Sequence, residues 1–104
     1  MILVTTDELP GRRVREVIGL VRGSSVRGAH VGRDVIAKLK NLVGGEVTEY
    51  TKLLAEAREQ ALDRMIEEAR ARGADAIVGL RFMSSDIGDD AAEMLAYGTA
   101  VKLE

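Results

Sequence analysis

The sequence predicts an α+β fold: a small single domain in the order β-β-α-α-β-β, with a mostly antiparallel sheet and two helices. Three observations predict it. β-prone runs stand at both ends of the chain, over residues 14–26 and 92–103. Between them, apolar residues recur at helical spacing in two stretches parted by Gly44-Gly45. The chain has 104 residues and shows no linker or internal repeat, which is the size of one domain.

The elements follow in order. Residues 2–6 are a short β-rich run. Glu8-Leu9-Pro10-Gly11 reads as a turn, in which Pro10 fixes φ and Gly11 relaxes it. In residues 14–26, Val14, Ile18, Leu20 and Val26 share one parity, and Val17 and Val21 lie on the other. Gly19 and Gly23 interrupt this run. A long strand with a bulge or bend near Gly23 is expected, with two short strands as the alternative. Val35, Ile36, Leu39, Leu42 and Val43 then fall on one stripe of a first, short helix. Asp34 sits in its first turn, Lys38 and Lys40 lie near its end, and Gly44-Gly45 stops it.

A longer second helix is expected from about residue 49 to 72, with Thr48 as N-cap. Residues 53–62 contain neither glycine nor a β-branched side chain. Leu54, Ala57, Ala61 and Met65 make one stripe; Leu62, Ile66 and Ala69 widen it toward a second neighbour. Gly73 ends it. Residues 74–82 form a strand in which Ala76, Val78, Leu80 and Phe82 are expected to face one way. A polar loop over residues 84–90 follows. In the last strand, residues 92–103, Leu95, Tyr97, Thr99, Val101 and Leu103 share a face. Met94, Ala96, Gly98 and Ala100 share the other, and both faces are expected to be covered.

Composition excludes several function classes. Cysteine is absent, which removes disulfides, thiolate metal sites, iron–sulfur clusters and cysteine nucleophiles. The formal net charge is -2 and aromatic residues make up 3%, which argues against stacking platforms and basic grooves for nucleic acid. The same charge argues against a membrane-surface helix. The N-terminus has no basic region ahead of its short apolar run, and no stretch is long enough for a membrane span, so the expected location is the cytoplasm. Charge is nonetheless uneven: residues 1–52 carry a net +3 and residues 53–104 a net −5. Strands that are apolar on both faces, in a chain this small, predict a homo-oligomer.

The candidate site residues cluster in the first half. His30 is the one imidazole, set between Gly28 and Gly32; with Asp34 it makes too few ligands for zinc unless subunits share them. Residues 19–25 resemble a phosphate loop but lack the spacing and the lysine of one. Residues 28–34 could present backbone amides at a helix start, with Arg22, Arg27 and Arg33 assisting an anion. The structural alternative is a bulged strand and a tight turn. Ser24 and Ser25 have no convincing base. Asp86, Asp89 and Asp90 do not match a calcium loop, and Glu56, Glu59, Asp63 and Glu67 read as a solvated helix face.

These residues carry a resemblance. Thr5-Thr6, Gly19-Leu20-Val21-Arg22-Gly23-Ser24-Ser25-Val26, Gly32-Arg33-Asp34 and Leu42-Val43-Gly44-Gly45-Glu46 look like the YbjQ-like family. So do Tyr50-Thr51-Lys52-Leu53-Leu54, Ala57-Arg58-Glu59-Gln60-Ala61, the run from Gly73 to Gly79, and Tyr97-Gly98-Thr99-Ala100-Val101. The match runs in order along essentially the whole chain. The resemblance implies a small subunit of a ring-shaped homo-pentamer and a heavy-metal-binding label, and it brings no catalytic residue. The family signature falls on Gly23, Gly32, Arg33, Asp34, Gly44, Gly45 and Glu46, which with Arg22, Arg27 and His30 form the candidate ligand or interface set.

The expected function is therefore a non-enzymatic homo-oligomeric assembly or small-ligand-binding protein, without catalytic residues, cofactor or tight metal site. One alternative is a metal-binding protein whose subunits pool His30 and carboxylates. The other is an enzyme that uses Arg33, Asp34 and Glu46 in a cleft between subunits.

Overall fold

The computed structural model describes residues 1–27, 48–86 and 92–104. Among them are four strands and one helix: β1 (Ile2–Leu3), β2 (Val14–Arg27), α1 (Thr48–Ala71), β3 (Ala76–Asp86) and β4 (Ala92–Leu103). The strands form one sheet in the order β1-β3-β4-β2. β4 pairs antiparallel with both β2 and β3, and β1 pairs parallel with β3. The sheet is thus mixed, with its two long pairings antiparallel as expected.

The expected pair of helices is corrected. Among the described residues there is a single helix, the 24-residue α1, and the segment assigned to the first helix lies outside them. At about 1.5 Å per residue α1 is about 36 Å long. That helix is the longer second one that the sequence predicts, and it runs along the sheet. Its C-terminus closes as anticipated at Gly73. The Gly73 amide donates to Arg70 O at 3.0 Å and the Ala74 amide to Ala69 O at 3.0 Å, the paired bonds of a Schellman cap.

Alternation along β4 sorts the core into two sides. Met94, Ala96 and Ala100 face α1 and pack with Val21, Ile77, Leu80, Ala57, Ala61, Met65 and Ala69. Val101 and Leu103 face away, in a second cluster with Ala76, Val78, Val4 and Leu9. The split of β4 into two faces is the one the sequence predicts. Among the described residues, however, its outer face is covered only toward the C-terminal end, by the segment after β1. Leu95, Tyr97 and Thr99 on that face are only half-buried.

Three local expectations are also corrected. β2 is one strand, but its register shifts lie between Val14 and Gly19, not at Gly23. In β3, the shared face expected for Ala76, Val78, Leu80 and Phe82 is broken by a register shift between Val78 and Arg81. Gly79 there has φ +63, a conformation that L side chains rarely adopt; its extra residue reverses the alternation and turns Leu80 to the same side as Ile77. Ser84 to Asp86 belong to β3, so the expected polar loop begins later.

Candidate functional site

Among the described residues β2 is an edge strand, and α1 is fastened along it. Residues 18, 20, 22 and 24 direct their backbone groups away from β4. Such a row of open donors and acceptors invites pairing with another chain. Here α1 supplies the partners. Arg72 Nη1 donates to Leu20 O at 2.8 Å and Nη2 to Ile18 O at 3.1 Å. The Arg22 amide donates to Glu68 Oε2 at 3.1 Å. Arg64 Nη1 donates to Ser24 O. Glu68 and Arg72 also lie 3.9 Å apart as an i,i+4 pair, which aligns both for the strand. Side chains spaced one helical turn apart thus meet backbone groups spaced two residues apart.

Beneath this edge the helix comes down to the strand itself. Gly23 faces α1, and a Cβ built on it would collide with Ala61 O and Met65 N of the helix backbone. The residues that allow this approach are Ala57, Ala61 and Ala69, all on the buried stripe of α1. Ser25, fully buried two residues on, donates its hydroxyl to Gln60 Oε1 at 2.7 Å. Its polar group is therefore satisfied within the subunit.

This locates two of the candidate residues. Gly23 is where helix and strand touch, and its missing side chain is filled by α1, not by a ligand. Arg22 is tied to α1 through its backbone, while its side chain is exposed on the opposite, outer face of the sheet. Arg27 is the last residue of β2. His30, Gly32, Arg33, Asp34, Gly44, Gly45 and Glu46 lie outside the described residues, as do Asp89 and Asp90.

The outer face carries a feature that the sequence reading did not single out. Cross-strand rows there run Leu20–Thr99–Val78, Arg22–Tyr97–Arg81 and Ser24–Leu95, with Met83 beside Leu95. Leu20 is 57% exposed, Met83 57% and Val26 54%, although all three are large apolar side chains in regular strand. Arg81 is held at this face by donation from Nη1 to Thr5 O and Leu80 O, each at 2.8 Å. The available signal was the parity of β2: Leu20 and Val26 are apolar, yet Gly23 and Ser25 of the other parity mark the face that receives the helix.

On the far side of α1, Glu56, Glu59, Asp63 and Glu67 are exposed, as the sequence predicts. The ion pairs of the described residues, Arg72–Glu68 and Lys102–Glu16, do not involve them. Among the described residues no three His, Cys, Asp or Glu side chains are grouped so as to hold a metal ion. No described helix is long and apolar enough to cross a membrane.

Comparison with known proteins places this arrangement. A family model described as "Putative heavy-metal-binding", that of the YbjQ family, matches residues 1–104. A UPF0145 protein of Thermotoga maritima is 55% identical over 104 residues, covering 100% of this chain and 98% of that protein. A UPF0145 protein of Methanosarcina acetivorans is 50% identical over 103 residues, covering 99% of this chain and 97% of that protein. A crystal structure of a DUF74-family protein from Pediococcus pentosaceus superimposes with a TM-score of 0.69 at 14% identity, covering 100% of this chain and 98% of that one; it shares the fold. With the family model and relatives at half identity both spanning its length, the chain belongs to the YbjQ-like, UPF0145 family.

Proposed function

We propose that this protein is a non-enzymatic subunit of a cytoplasmic homo-oligomer, a ring of five, which acts as an assembly or small-ligand-binding protein. The observation that carries this reading is the bare half of the outer sheet face, with Leu20, Val26 and Met83 more than half exposed beside Leu95 and Tyr97. Exposed large apolar side chains set among arginines and a tyrosine are a mark of an interaction surface. The shape of the subunit supports it. The radius of gyration is 16.9 Å, against about 13 Å for a compact chain of 100 residues. The thinnest dimension is 17 Å, the depth of a sheet with one layer upon it (facing layers lie about 10 Å apart). The count of five comes from the family resemblance.

The family's metal label finds a poor donor set within one chain. There is no cysteine and one histidine, whereas zinc takes about four donors, at least about three of them from protein. A metal site would therefore need carboxylates beside the histidine, or donors pooled between subunits. Light scattering coupled to size exclusion tests the main reading: a mass of about five times the 11.2 kDa of the chain is expected. A monomer mass at micromolar protein overturns it.

A further inference from the structure

We propose that the outer sheet face of one subunit receives the solvent face of α1 from the next copy, in a head-to-tail contact. Arg22 and Arg81 engage Glu56 and Asp63 around Tyr97. The inference rests on the homo-oligomeric reading and names the two surfaces that meet.

The sheet has two faces and, among the described residues, one helix. α1 covers the inner face, and the N-terminal segment covers the C-terminal end of the outer one. The remainder of the outer face is about three strands wide, about 10 Å from the first to the last, so a helix that crosses the strands spans all three. A helix laid there would give each sheet a layer on both sides, one of the stable layer arrangements of mixed folds.

Charge decides which surface of a second copy fits. In the row Arg22–Tyr97–Arg81, two exposed arginines flank a half-buried tyrosine. Two strand spacings separate their backbones by about 10 Å. Glu56 and Asp63 are seven residues apart on the exposed side of α1, about 10.5 Å along its axis. The two pairs therefore match in sign and in spacing when the helix of one copy crosses the strands of another. If two outer faces met instead, Arg22 and Arg81 of both copies would be brought together, and like charges in an interface cost several kcal/mol. The contact joins different surfaces on the two copies, so it repeats from subunit to subunit and closes into a ring when the rotation allows.

The test is a set of charge reversals followed by light scattering over a dilution series, with circular dichroism to verify folding. Arg22→Glu alters an exposed side chain, and Glu56→Lys with Asp63→Lys alters two more; each set alone should raise the midpoint of dissociation by at least about tenfold. The triple variant, which restores opposite signs at Arg22 but leaves Arg81 facing a lysine, should recover part of the loss and assemble more tightly than the Glu56→Lys, Asp63→Lys variant. Three results overturn the proposal while leaving the homo-oligomer in place. They are assembly unchanged by either set, assembly tightened by Arg22→Glu (which would place two outer faces together), and no recovery in the triple variant. A monomeric unmodified protein would instead overturn the homo-oligomeric reading on which this contact depends.

Discussion

On the inner side of the sheet, each of these cross-strand pairs holds at least one small residue: Gly23 beside Ala96, Val21 beside Gly98, Ser25 beside Met94. On the outer side the same two strands place Leu20 beside Thr99, Arg22 beside Tyr97 and Ser24 beside Leu95. The inner side is packed down to the backbone of α1 and leaves no room for a further atom at Gly23. The outer side keeps large apolar side chains in contact with solvent. What marks the inner face is size, because a helix can lie close to a sheet only where both surfaces are nearly flat. Among the described residues the open part of the outer face has no such neighbour, and its side chains are of the kind that fill an interface.

The comparison is broken most directly at Gly23. Adding one methyl group there sets a Cβ against Ala61 O and Met65 N, backbone atoms that yield only if the whole helix shifts. Gly23→Ala is expected to cost about 3 kcal/mol, the upper part of the range for overpacking a core. Denaturant melts measure it. A glycine kept for a ligand's approach would accept alanine with an unchanged melt, and that result would return Gly23 to the candidate ligand set.

Gly23 also shows how far the sequence could be read. The glycine-rich run around it was conspicuous, but a glycine records only that something comes close, not whether it is a phosphate or a helix backbone. What it meets lies some forty residues away in the chain. Patterns that depend on one element alone were legible: of the stripe Leu54, Ala57, Ala61 and Met65 the last three are buried and Leu54 is half-buried, and the two faces of β4 separate as its alternation predicts. Patterns interrupted by an irregularity were not. The inserted residue at Gly79 reverses the alternation of β3, and no composition signal separates such a glycine from one that merely weakens a strand. The open part of the outer face was missed for a related reason. Both faces of β4 are apolar, and alternation cannot say whether the cover comes from the same chain.

A smaller effect is expected where the two sides meet, along the edge of β2. Arg72 closes two carbonyl groups, Leu20 O and Ile18 O, and its side chain is 41% exposed. Arg72→Ala should cost about 1 kcal/mol, because water can replace part of what an exposed guanidinium supplies. It should also uncover a strand edge, so that higher-order association appears in light scattering at concentrations where the unmodified protein shows none. Arg72→Lys should recover little, since one ammonium cannot reach both carbonyls in the forked arrangement of a guanidinium. A melt unchanged by Arg72→Ala, with no new association, would mean that the edge is protected by something other than α1.

The smallest effect on the subunit itself is expected at Leu20, and it sharpens the comparison because it separates folding from assembly. The side chain is 57% exposed and stands beside Thr99 on the outer face. In an isolated subunit, Leu20→Ala removes atoms that touch mostly water, so its stability should change by less than about 0.5 kcal/mol. In an assembly that covers this face, the same atoms leave a buried contact, and the lost apolar burial weakens association. Denaturation measured below the concentration of assembly should therefore match the unmodified protein, while the dissociation midpoint in light scattering moves to higher protein concentration. The two measurements must be made separately, because assembly itself raises the apparent stability of each subunit by mass action. A loss of 2 kcal/mol or so in the dilute melt, the scale of a core truncation, would show that Leu20 packs inside the subunit and that the two faces are more alike than their exposure indicates. No change in either measurement would confine the interface to the neighbourhood of Leu95, Tyr97 and Met83, one strand further in.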